Sequence, residues 1–94
     1  MKIELKIDKK FTCIAGYQYG AEIYEKQVKP YFNGTEKIEI RFPDHIEVVA
    51  VSFVQGFISG MLRLFPGKNK LLELLTLKSN DDFLTNRLYE DLRY

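Results

Sequence analysis

Two residues of the sequence, Cys13 and His45, are of types that commonly take part in catalysis. His45 could act as a general acid or base, or bind a metal ion together with Glu47. It is the only histidine and has no fixed carboxylate pair beside it, so a solvated turn residue is the simpler interpretation. Cys13 could be a nucleophile if Lys9 or Lys10 favoured its thiolate, but a lone cysteine is more commonly a small buried side chain. We therefore expect no catalytic residue, no metal site and no cofactor.

A glycine-flanked segment, Gly-Tyr-Gln-Tyr-Gly at residues 16–20, could in principle bind phosphate. Its glycine spacing fits neither a dinucleotide fingerprint nor a Walker loop, and the Lys-Ser/Thr pair of a Walker loop is absent. Tyrosines are favoured anchors at protein interfaces, so Tyr17 and Tyr19 are predicted to form part of a protein-binding surface. The alternative is that the tyrosine rings pack on the sheet.

The composition is that of an ordinary globular protein. Its 94 residues are 46% hydrophobic and 29% charged, so we expect a single domain over residues 1–94. The formal net charge of +1 provides no basic field, and we expect neither nucleic acid nor an anionic membrane as a partner. No apolar leader follows Met1, and residues 48–65 are too short and too often interrupted by polar side chains to span a membrane. These features predict a cytoplasmic protein.

Hydrophobic periodicity predicts strands that alternate with helices. Residues 3–7 and 36–42 alternate apolar and polar side chains, as half-buried strands do, and residues 11–15 could form another short strand. Residues 17–32 have the pattern of an amphipathic helix, which Pro30 should disturb near its end. The apolar face of this helix is predicted to consist of Ala21, Tyr24, Val28 and Tyr31.

The centre of the chain changes from a strand pattern to a helix pattern at Ser52. Residues 46–51 are a nearly uninterrupted β-branched run, and Ser52 is predicted to cap a mostly buried helix over residues 52–65. Gly56 lowers the helix propensity and is predicted to allow another element to approach closely. Pro66 should end the helix.

Residues 71–77 are rich in leucine and can form either a buried strand or a short helix. The leucine content favours a helix, but the position between two predicted helices favours a strand, and a strand is our prediction. A last helix follows, with Leu84, Leu88 and Leu92 on one face. The predicted fold class is α/β: a single compact domain with a mixed sheet of about four strands and three helices.

The strand-to-helix junction resembles a known family. Residues 49–57 read Val-Ala-Val-Ser-Phe-Val-Gln-Gly-Phe, so that a strand leads into Ser52 and Phe53 at the start of a helix that carries Gly56. This pattern is similar to that of the STAS-like family, small bacterial domains of unknown function that are distantly similar to anti-sigma factor antagonists. The resemblance covers about residues 16–94 and implies a STAS-like α/β domain that binds another protein.

The same resemblance implies a role for Ser52. Anti-sigma factor antagonists carry a serine at this junction that a partner kinase phosphorylates, and Ser52 lies at the corresponding position. A phosphate at a helix N-terminus is stabilised by free amides and would alter any docking surface there. In those proteins an acidic residue usually precedes the serine and a glycine follows it, whereas Val51 and Phe53 flank Ser52. Capping and phosphorylation therefore stand as alternative roles.

Taken together, the sequence predicts a non-catalytic regulatory or adaptor domain that acts by protein–protein interaction and is switchable at Ser52. The predicted partner-binding residues are Ser52, Phe53, Gln55, Tyr17 and Tyr19. The expected partner is another protein, for which a kinase-type ATP-binding regulator is one candidate, and the apolar central helix suggests a homodimer. The alternatives are a small phage or mobile-element inhibitor that blocks a host enzyme, and a minimal enzyme that uses Cys13 or His45.

Overall fold

The computed structural model describes residues 1–65 and 67–92, which form an α/β domain as predicted. A π-helical segment, Tyr24–Val28, directly continues the first α-helix. The strands and α-helices in chain order are β1 (Lys2–Glu4), β2 (Cys13–Ile14), α1 (Tyr17–Ile23), β3 (Ile38–Arg41), β4 (Val48–Val49), α2 (Val51–Leu62), α3 (Lys68–Leu74), β5 (Leu75–Lys78) and α4 (Asp82–Leu92).

The strands form two parallel sheets in place of the single mixed sheet that the sequence predicted. In the three-stranded sheet β3 lies between β1 and β5, and β2 pairs with β4 in a two-stranded sheet. All of these pairs are parallel because each chain segment returns to the sheet through a helix rather than through a tight hairpin. The described residues also contain four α-helices where three were predicted, because α3 precedes β5.

The core is built around α2. Phe53 and Met61 of this helix are fully buried, and Phe57 is only 2% exposed. Phe42, at the end of β3, packs against the rings of Phe53 and Phe57 with ring centroids 6.3 Å apart in both cases. Helices α1, α3 and α4 all contact α2. The apolar arc of α2 is therefore covered within the chain, and it does not provide the surface on which the homodimer prediction depended.

Helices α1 and α2 cross at glycines. A Cβ atom on Gly56 would collide with the carbonyl oxygen of Tyr17, and a Cβ atom on Gly20 would collide with the carbonyl oxygen of Phe53. The two backbones can approach this closely only because neither glycine has a side chain. The predicted close approach at Gly56 is confirmed, and the approaching element is α1.

The first predicted helix has the right position, but its second half is π-helical. The Lys29 N–H donates to the carbonyl oxygen of Tyr24 at 2.9 Å, which is the wider spacing of a π-helix. This turns the following residues relative to the α-helical pattern, so that Phe32 is buried whereas Tyr31 is 63% exposed. The prediction that Tyr31 lies on the apolar face was wrong, while Val28 is buried as predicted.

The leucine-rich segment is helical in its first half and extended in its second, so the prediction of a strand throughout was wrong. Helix α3 ends at Leu74, and the N–H of Leu75 donates to the carbonyl oxygen of Leu71 where the strand begins. In β5 the buried residues alternate with exposed ones, as a strand requires. The central helix ends at Leu62, earlier than predicted, and Pro66 lies outside the described residues.

Candidate functional site

The strands β2 and β4 lie side by side, and a helix follows closely after each of them. Cys13 is opposite Val48, and Ile14 is opposite Val49. The N–H of Ala50 donates to the carbonyl oxygen of Ile14 at 2.9 Å, which extends the pairing up to the start of α2. The starts of α1 and α2 are therefore held next to each other at the ends of two paired strands.

Ser52 connects these two helix starts. Its half-buried hydroxyl accepts a hydrogen bond from the N–H of Gly16 at 3.0 Å. Gly16 has a φ of 103°, a left-handed conformation that suits glycine and forms the turn before α1. The N-cap residue of α2 is Ala50, and no side chain caps this end of the helix. The prediction that Ser52 is a helix cap was therefore wrong, because its hydroxyl bonds to a different segment.

Phe53 was predicted to bind a partner, and the structure contradicts this prediction. Its side chain is fully buried, with its ring stacked on that of Phe57 at a centroid distance of 6.1 Å. Tyr19 is half-buried and packs edge-on against Phe53 at 5.5 Å. Position 53 faces the core because residues 53, 54, 57 and 58 form the buried side of α2.

The exposed side chains at the two strand-to-helix junctions form what we call the junction surface. Tyr17 is 52% exposed, and Gln55 is also exposed, so two of the predicted binding residues lie on this surface. We define the junction surface by five of these exposed residues, which are Cys13, Tyr17, Val48, Val51 and Gln55.

Sequence reasoning missed Cys13, Val48 and Val51 as surface residues. The β-branched run at residues 46–51 does not show which side chains face outward, and in the structure Val48 is 52% exposed and Val51 is 40% exposed. In a two-stranded sheet with one face on the core, Ile14 and Val49 turn inward while their neighbours turn outward. The one signal in the sequence was the shortness of the strand predicted over residues 11–15, which is compatible with the small β2–β4 sheet.

The remaining candidates for chemistry are held in structural contacts. The Nε2 atom of His45 lies 3.1 Å from the backbone oxygen of Asp8. Lys10, which was considered as an activator of Cys13, places its Nζ atom 4.0 Å from the Asp8 carboxylate and 5.2 Å from the centroid of the Phe11 ring. Over residues 1–65 and 67–92 there is no group of three or more side chains that could hold a metal ion.

In the part of the chain that the structure describes, no helix combines the length and the apolar character needed to cross a bilayer.

Comparison with known proteins identifies a family. Residues 19–82 match the family model described as a STAS-like domain of unknown function (DUF4325). The matched region contains β3, β4, α2, α3 and β5, and therefore includes Ser52 and most of the three-stranded sheet. No curated protein and no solved structure matches the chain.

Proposed function

We propose a protein-binding function for this chain, which belongs to the family of STAS-like domains of unknown function. In this proposal the chain is a non-catalytic regulatory or adaptor domain, and the junction surface is where it binds its partner. The observation that carries the proposal is the exposure of Tyr17, Val48 and Val51 next to the Ser52–Gly16 hydrogen bond. A tyrosine among aliphatic side chains is typical of the anchors at protein interfaces.

Ser52 offers a way to regulate this binding. Phosphorylation would add about −1.5 to −2 units of charge to a hydroxyl that is half-buried and hydrogen-bonded to Gly16. A phosphate on Ser52 would add this charge directly beside the turn at Gly16, and Tyr17 is the next residue along the chain. In this proposal, modification of Ser52 changes the charge and the conformation of the junction surface.

The proposal is tested by a pull-down from the native lysate with the tagged 94-residue chain as bait, read by mass spectrometry. Wild type is compared with Tyr17→Glu and Val51→Glu, which place a charge on the junction surface. Phe83→Glu is the matched control, because Phe83 is 71% exposed and its helix, α4, contributes no residue to this surface. We expect the same protein to be captured by wild type and Phe83→Glu and lost with both junction variants, each shown to be folded by circular dichroism.

Two outcomes would contradict the proposal. A partner that both junction variants retain binds elsewhere, and the absence of any enriched protein with wild type argues against an adaptor. Adding Ser52→Asp and Ser52→Ala tests the switch separately, because only the aspartate introduces charge at Gly16. The identity of the captured protein then distinguishes a kinase-type regulator from the host enzyme that an inhibitor would block.

A further inference from the structure

We propose that the open edge of β1 is a second binding site, which takes an acidic, extended segment of another protein as an added strand. This site shares no residue with the junction surface. It is formed by β1 and by the π-helical segment that follows α1.

The backbone hydrogen bonds of β1 show which of its groups face the open edge. Leu5 donates its N–H to the carbonyl oxygen of Arg41 at 2.9 Å, and Glu39 donates to the carbonyl oxygen of Met1 at 2.8 Å. Backbone groups point alternately to the two sides of a strand, so the odd-numbered residues of β1 pair with β3. The residues whose N–H and C=O groups point away from β3 are Lys2, Glu4 and Lys6.

The backbone of Lys6 is already paired with a side chain. Its N–H donates to Oε1 of Gln27 at 2.7 Å, and its carbonyl oxygen accepts from Nε2 of Gln27 at 2.8 Å. One carboxamide thus satisfies both groups, as the backbone of a neighbouring strand would. An added strand cannot pair with Lys6, because Gln27 already does so. The outward backbone groups of Lys2 and Glu4 remain available for pairing.

The opposite edge of the sheet, formed by β5, is closed. Phe42 donates its N–H to the carbonyl oxygen of Lys78, so the outward-pointing residues of β5 are Leu75 and Leu77. The N–H of Leu75 donates to Leu71, and the N–H of Leu77 donates to the hydroxyl oxygen of Tyr89 at 2.7 Å. Of the two edges of this sheet, β1 is the one that leaves outward N–H groups available.

A cleft runs along the open part of β1. It has a volume of about 540 Å³, and β1 and the π-helical segment form its two walls. The π-helical turn places Tyr31 on the far wall, 63% exposed, where its ring can pack on a side chain of the incoming segment. An extended peptide bound here would bond to the backbone of β1 and be covered on one side by Tyr31 and Lys26.

The charge of the cleft indicates the chemistry of the segment. Three lysines, Lys2, Lys6 and Lys26, line the cleft together with one carboxylate, Glu4. Within the described residues, none of these three lysines forms an ion pair. An acidic peptide complements this positive excess, whereas a second copy of the chain would bring the same excess and be repelled.

The test is a titration of the ¹⁵N-labelled full chain with short peptides that alternate glutamate with valine, leucine or phenylalanine, followed by NMR. We expect the amide resonances of Lys2 and Glu4 to shift with at least one of these peptides, and not with the matched lysine-containing peptides. Lys26→Glu should weaken binding by about fivefold or more, whereas Lys9→Glu, the same charge change outside the cleft, should leave the affinity unchanged.

A second variant tests the backbone contact. Glu4→Pro removes an outward N–H without removing a bond to β3, and proline is tolerated at such an edge position, so this variant should lose peptide binding. If Glu4→Pro does not fold, the proposal is tested by the peptide affinities of Lys26→Glu and Lys9→Glu alone. The proposal is overturned if no acidic peptide shifts Lys2 or Glu4, or if lysine-containing peptides bind equally well. It is also overturned if ultracentrifugation shows a dimer of the wild-type chain that Glu4→Pro converts to a monomer, because β1 would then pair with a second copy.

Discussion

Tyr24 is the residue at which burial most clearly changes acid–base behaviour. It is 3% exposed, and its ring packs edge-on against Phe57 with centroids 6.2 Å apart. Burial raises the pKa of the Tyr24 phenol above its ordinary value of 10.0, Glu25 raises it further, and Arg63 acts in the opposite direction. The charged phenolate is therefore less favourable in the folded chain than in the unfolded chain.

This shift predicts a loss of stability at alkaline pH. The unfolded chain releases the Tyr24 proton first, so this contribution to stability is fully present below about pH 10 and is lost as the pH rises through the higher folded-state pKa. Tyr24→Phe should remove this part of the pH dependence. Urea unfolding of wild type and Tyr24→Phe at about pH 8 and about pH 11 measures how much the free energy of unfolding falls in each protein. Equal losses of stability in the two proteins would contradict the prediction.

At the scale of single residues, the sequence predicted where Ser52 lies but not what it binds. The change of period from strand to helix located it at the junction, and that signal is local. Its hydrogen bond to Gly16 joins segments far apart in the chain, so no local pattern reports it. Phe53 was assigned to the surface because it is next to Ser52, although the helical period already placed it with Phe57 on the buried side.

At the scale of elements, the crossing of α1 and α2 depends on the absence of a side chain at Gly56. Gly56→Ala should lower the free energy of unfolding by about 1–3 kcal/mol, because the new methyl group meets the Tyr17 backbone and overpacks the crossing. This range is the net change, because collision with backbone atoms rather than a flexible side chain outweighs the gain in helix propensity of about 1 kcal/mol. Urea unfolding measures the change.

The control for this prediction is Gln55→Ala, an exposed position on the same helix. Its effect should stay within about 0.5 kcal/mol, as is usual for surface substitutions. If Gly56→Ala were as stable as wild type, the two helices would have to separate at no cost, and the close crossing would not contribute to the fold.

The elements that the sequence predicted well are those with a clear local period. The first strand, β3 and α4 follow from alternation or from the spacing of Leu84, Leu88 and Leu92, all three of which are buried. The π-helical segment was not predictable, because its contacts with α2 and the bonds of Gln27 to Lys6 are made with distant parts of the chain. The division at Leu74 was missed because helix and strand patterns are both compatible with a leucine run.

At the scale of the whole molecule, burial of apolar side chains, and not charge, holds the domain together. The five ion pairs seen among residues 1–65 and 67–92 all join exposed side chains, and the net charge is +1. Exposed pairs contribute about 0–1 kcal/mol each and are screened by salt. We expect the free energy of unfolding to change by less than about 1 kcal/mol between about 0.05 and 0.5 M NaCl. A larger fall, measured by urea unfolding, would reveal a network of charges that contributes to stability.

The α/β class of the whole molecule was predictable from the order of its elements, but the arrangement of its strands was not. Two-residue strands such as β2 and β4 carry too little pattern to show that they form a sheet of their own. The open edge of β1 was not predictable either, because it depends on side chain–backbone hydrogen bonds. Gln27 bonds to Lys6 next to β1, and Tyr89 bonds to Leu77 on the opposite edge. A pattern of hydrophobic residues does not report such bonds.

The parallel pairing of every described strand has a consequence for how quickly this protein folds. Lys2 pairs with Glu39, and Ile38 pairs with Leu75, so the three-stranded sheet joins the beginning, the middle and the late part of the chain. Without a hairpin to nucleate the sheet, long loops must close before any strand pair forms, and chains with such distant contacts fold slowly. During synthesis, the three-stranded sheet is completed only after β5 has left the ribosome, so β3 keeps one unpaired edge until then. Until that point the unpaired edge of β3 can be bound by chaperones or cleaved by proteases.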